Sequence, residues 1–183
     1  MQQFQSSRLK IKRARNFIDE TKRAIEDFLT KEFCKLHVET DASTGQAAIS
    51  VVSTAEPPAE IALSIGDAVH NLRAALDHAV VDILGAEGAK HAFPVAKDKS
   101  NPGAHSTFQL IKKRFPDLAT LLVDKIVIHD TGDVCIWAIS QLDNTAKHNL
   151  LIPFVSVQAI ENFDFINEVS GATYTRCGAA VDG

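Results

Sequence analysis

The sequence predicts a helix-rich α+β domain with three main helices and one or two β-hairpins. Three observations support this: long stretches where apolar residues recur at three- and four-residue steps, two β-branched segments flanking a turn-forming pentapeptide, and a length that one core can serve. With 183 residues, 45% hydrophobic and 23% charged, the chain has ordinary globular composition, which excludes a disordered or low-complexity protein. One domain over residues 1–183 is therefore expected.

Ile11, Ala14, Ile18, Ile25, Phe28 and Leu29 fall on one side of a helical projection, predicting an amphipathic helix over residues 7–31. KLHVET and QAAISVVS flank DASTG, whose Asp, Ser and Gly suit a turn, so a hairpin is expected over 35–54. EPPAE closes that unit, because two prolines lack amide donors. Ile65, Val69, Leu72, Leu76, Val80 and Ile83 then mark a central helix over 60–84, stopped by Gly85 and Gly88. The Pro, Gly, Asn and Ser of HAFPVAKDKSNPGAHS predict an irregular loop, followed by a short helix ending before Pro116. Val134, Trp137, Ala138 and Leu142 predict a helix over 133–149, and the tail over 150–183 reads as one or two strands. The core is expected around Ile65, Leu72 and Leu76.

No apolar run approaches the roughly 18 residues that span a bilayer, and MQQFQSSRLKIKR lacks the apolar middle of a secretory signal. A cytoplasmic protein with no membrane partner is the expectation. Cys34, Cys135 and Cys177 are odd in number, with no Cys-x-x-Cys pair, so neither a disulfide framework nor a thiolate zinc site is suggested. A net charge of −4 argues against broad, non-specific nucleic-acid binding, although eight Lys or Arg against four acids in residues 1–31 allow a basic helix face.

The chemistry-bearing residues concentrate on two helices. His70, Asn71, Arg73, Asp77 and His78 spread over the side of the central helix away from its apolar stripe, and Arg73 with Asp77 forms an i,i+4 pair. Ser140, Asn144, Lys147 and His148 share a face of the later helix. If the two helices are neighbours, Asp77 could pair with Lys147, and Asn71 or Asn144 could hold His78 or His148 in one tautomer. Such a network sets helix register without catalysis. A metal site from His70, Asp77, His78, Asp143 and His148 is a third arrangement, but no spacing is diagnostic, so no metal or cofactor is expected. His37, His91, His105 and His129 read as surface or capping histidines.

NLRAALDHAV, HAFPV and LDNTAKHNLL, in this order, resemble the signatures of an uncharacterised family of bacterial and phage proteins, over roughly residues 60–152. That resemblance implies a shared fold and names no reaction. The spacing of Arg73 and His78, with four residues between them, also resembles the motif of the HEPN ribonucleases, helical-bundle enzymes that cleave RNA without metal in a cleft between subunits. This second resemblance implies a toxin or phage-defence endoribonuclease with RNA as partner and a homodimer as the active form. His78 would be acid or base at the ribose 2′-hydroxyl, and Arg73 would stabilise charge on the phosphate. Asn71, Asp77, Asn144, Lys147 and His148 would support them. The alternative is a non-catalytic binding or assembly protein whose polar helix faces form a structural network.

Overall fold

A computed structural model describes residues 3–31, 34–40, 47–96, 105–126, 128, 135–149, 159–166, 171 and 173–180. Between Gln5 and Thr30 no proline or glycine interrupts the chain, and these 26 residues form α1. Its start is fixed by Phe4, at φ 61°, whose amide donates to Asp82 Oδ2 at 3.1 Å. The inward residues of α1 are the small Ser7, Ala14 and Thr21. Of the stripe expected to pack, Ala14 is fully buried and Phe28 half-buried, whereas Ile11, Ile18, Ile25 and Leu29 are each more than a third exposed.

The prolines at 57 and 58 and the positive-φ Gly85 (69°) bracket a second 26-residue helix, α2, Ala59–Leu84. Gly85 serves there as the C-cap, a conformation glycine adopts without a Cβ clash. A 3-10 turn, Gly85–Lys90, folds back on the end of α2. Two short helices follow: α3, Ser106–Arg114, and α4, Pro116–Asp124. Phe115 ends one and begins the other, with Pro116 in the first turn of α4, where a missing amide costs nothing. Arg114 ties the end of α3 to Glu87 and to the Leu84 carbonyl (3.4 Å). The last helix, α5, Cys135–His148, packs along α2. The two helices run close at Gly66, where an added Cβ would lie 3.7 Å from the Ala146 Cβ, an ordinary contact.

The core gathers at the C-terminal half of α2. Val80, Leu84, Phe93, Phe108, Ile111, Ala119, Leu122 and Ile128 are its buried members, with Leu76, Ile83 and Ile136 packed against them. Ile65 and Leu72 are only half-buried, so the expected centre lies too far toward the N-terminus of α2.

The α+β fold class expected from sequence is corrected by this arrangement. Among the residues whose side chains are described, regular structure is helical, with five α-helices rather than three main ones. The physical reason is that α3 and α4 supply, from short apolar segments, the cover for α2 that hairpins were expected to give. The chain divides into two units, residues 1–28 with 58–152, and residues 29–57 with 153–183. In the second unit only backbone pairing is described: β1 (Cys34–Thr40) runs antiparallel to β2 (Ala47–Thr54), and β3 (Ala159–Ile166) to β4 (Thr173–Ala180). The expected turn DASTG, the loop over 97–104 and the start of the 133–149 helix lie outside the described residues.

Candidate functional site

Two polar clusters and a groove surround α2, and all three lie within the helical unit. The first cluster fastens α2 to the segment that follows it. Arg73 Nη2 donates to the Phe93 carbonyl at 3.0 Å, and the Phe93 amide donates to Asp77 Oδ1 at 2.7 Å. Arg73 and Asp77 also pair with each other at 3.1 Å, as their i,i+4 spacing implies. Both backbone groups of one peptide residue are thus satisfied by side chains of a helix, as a strand partner would satisfy them. This holds the Phe93 ring and Pro94 in the core.

The second cluster joins α2 to α5. Asp143, 1% exposed, accepts from Lys147 Nζ at 2.6 Å on one oxygen and lies 3.0 Å from His70 Nδ1 on the other. A buried carboxylate is tolerated because both oxygens meet donors. The pairing expected between Asp77 and Lys147 does not occur; each instead finds an acid or base four residues away on its own helix. His70, absent from the sequence-based nuclease set, is the residue of α2 that crosses to α5. A ring fixed through Nδ1 has a defined tautomer and leaves Nε2 on the exposed side of a half-exposed residue.

The groove lies between α1 and α2, has a volume of about 380 Å³, and is lined by Ser6, Leu9, Lys10, Arg13, Asn71 and His78. Lys10 donates to Asn71 Oδ1 at 3.3 Å, and Asn71 Nδ2 bonds the Asp67 carbonyl at 2.8 Å. Arg13 stacks over the Phe17 ring at 4.4 Å, an arrangement that holds a guanidinium by cation–π attraction.

Arg73 and His78 are therefore not brought together within the chain. Five residues along a helix place them about 140° apart around its axis. Arg73 faces Phe93, while His78 lines the α1 groove. Asn71 stands with His78 in that groove but bonds Lys10 and the Asp67 carbonyl, so the expected Asn–His tautomer lock is not formed there. Asn144 and His148 are exposed on α5. Among the described residues no three His, Cys, Asp or Glu side chains gather as a metal-holding group, and no helix is long and apolar enough to cross a membrane.

His105, expected as a surface or capping histidine, and Thr107, which no sequence signal marks, have an unusual setting. His105 is the N-cap residue of α3, yet its side chain makes no capping bond, and its Nδ1 is buried without a partner. Burial first, then the Arg73 guanidinium and His91, hold its proton affinity below the ordinary histidine value of 6.5. The signal in the sequence was the run HST ahead of an apolar helical pattern, which marks a helix start. Nothing local in it announces burial.

No family model matches the chain, and comparison with curated proteins and with solved structures yields no match either.

Proposed function

We propose that the chain is a non-catalytic binding or assembly protein whose polar helix faces form a structural network. One observation carries this reading: Arg73, on which a nuclease role would depend, is engaged with Asp77 by the backbone groups of Phe93, away from His78. The Asp143 clamp with His70 and Lys147 supports it, since it links two helices through a carboxylate that solvent does not reach. A guanidinium fixed on a backbone carbonyl is not free to follow charge developing on a substrate phosphate.

A metal-independent endoribonuclease of the toxin or phage-defence kind is the second reading. It is favoured by the groove, where His78 stands with Lys10 and Arg13. An imidazole beside two cations can move a proton at a 2′-hydroxyl while phosphate charge is neutralised. In that case Arg13 or Lys10 takes the part that the motif gives to Arg73, and Arg73 remains a positioning residue.

Incubation of the full chain with structured and unstructured RNA in EDTA separates the two. Intact RNA at high protein concentration is the expected result. Fragments ending in a cyclic phosphate, lost in a folded His78→Ala variant, would overturn the binding reading in favour of the nuclease.

A further inference from the structure

Each buried residue in the inner row of α1 has an isoleucine four positions beyond it: Ser7 and Ile11, Ala14 and Ile18, Thr21 and Ile25. Four residues turn a helix by about 40° past a full turn, so the isoleucines lie on the shoulder of the packed face rather than on its far side. Their exposures, 38%, 37% and 36%, are nearly equal, as for a row running parallel to the packed face. None of them belongs to the core or to the apolar residues packed against it. All three fall within the helical unit.

Single exposed apolar residues are ordinary, but three in line are not. At seven-residue steps the row drifts by only about 20° per step and is about 21 Å long. This is the spacing at which one helix presents a seam to another. Ile18 is the midpoint, so the row reads the same in both directions. A two-fold axis through Ile18 sets Ile11 of one copy against Ile25 of the other. An isologous interface demands this self-complementarity, which an unrelated partner has no reason to match.

Charge fixes the direction of the pairing. Residues 8–15 carry Arg8, Lys10, Lys12, Arg13 and Arg15 and no acid, whereas residues 19–27 carry Asp19, Glu20, Glu26 and Asp27 against Lys22 and Arg23. Two parallel copies would set one basic half along the other. In an antiparallel pair the basic half of each copy lies along the net acidic half of its partner, and the helix dipoles oppose as well.

We propose that the isoleucine shoulder of α1 is an interaction surface for a second copy of this chain, paired antiparallel about Ile18. The proposal rests on neither reading above. Lys10 and Arg13, which line the groove, lie on the other shoulder of α1, so a partner on the isoleucines leaves the groove open. A seam of three isoleucines is at the small end of specific interfaces, so the dimer dissociates in the micromolar range.

Sedimentation of the full chain over a concentration series tests this. The mass should rise from one chain to two, and no further. Ile18→Glu brings two carboxylates together at the axis; it should weaken association by about a hundredfold while leaving the Tm of the dilute protein near that of wild type. Ile11→Lys and Ile25→Glu should each weaken association. The double variant should recover part of the loss, because antiparallel pairing sets the lysine introduced in one copy against the glutamate introduced in the other. A chain that stays monomeric at every concentration, a dimer that survives Ile18→Glu, or a double variant no better than the weaker single one would overturn the proposal. If Ile18→Glu does not fold, the wild-type series and the charge-swap pair decide.

Discussion

Alanine at Gly88 lowers the unfolding free energy by about 3 kcal/mol, the upper part of the range for forcing an extra methyl into a packed site. Gly88 is buried in the 3-10 turn, where it packs against the last turns of α2. An added Cβ would lie 2.6 Å from the Val80 carbonyl oxygen and 2.8 Å from the Val81 Cα. These are backbone atoms of a helix, so no side-chain rotation relieves the clash. The turn must lift away, and Val80 and Leu84, both core residues, lie beneath it. Denaturant unfolding should show a lower midpoint at an unchanged slope, because the loss is in native packing rather than in compactness of the unfolded chain. A stability within 0.5 kcal/mol of wild type, the range of an ordinary surface substitution, would mean that the turn does not pack as described.

Replacing Lys147 by methionine costs about 2 kcal/mol. Methionine keeps the apolar stem but removes the ammonium that meets Asp143 Oδ2, leaving that oxygen buried at 1% exposure with no counter-charge. Loss of one partner of a buried pair typically costs about 3–5 kcal/mol, and the half-exposed Lys147 head brings this down. The double variant Lys147→Met with Asp143→Leu should recover part of the loss, since it removes the stranded charge as well. Thermal or urea unfolding of the single and double variants measures both effects. An undiminished stability in the single variant would show that Asp143 is held by His70 alone.

The long helices were readable because periodicity and stop signals coincide. Pro58 and Gly85 bracket α2 close to the expected 60–84. The two glycines after it look alike as stop signals, but they do different work: Gly85 for its positive φ, with nothing near its missing Cβ, and Gly88 for space. α4 was missed because Pro116 reads as a terminator, whereas at the first turn of a new helix it is favourable. On α1, large apolar residues suggested the buried face, but Ala14 and Thr21 allow closer approach than isoleucine does, and the small side turns inward.

At the candidate site, the polar stripes on α2 and α5 were apparent from spacing, and Lys147 does take part in the link between them. Which partners meet was not apparent, because helical spacing fixes neighbours on one helix but not the register between two. Asp143 and His70 form the cross-helix bond, and no local rule distinguishes them from Asp77 and His78. Phe93 was the larger gap. Its role is carried by peptide N–H and C=O groups, which every residue other than proline possesses and no motif records.

The most direct measurement is the unfolding free energy of Arg73→Ala at neutral pH. If Arg73 is a structural clamp, the variant loses about 2 kcal/mol, from a backbone carbonyl left without its donor and a carboxylate without its cation. The side chain of Arg73 is 12% exposed, so water cannot fully replace it. Unchanged stability would contradict the structural reading, and unchanged stability with loss of an RNA-cleaving activity would return Arg73 to catalysis.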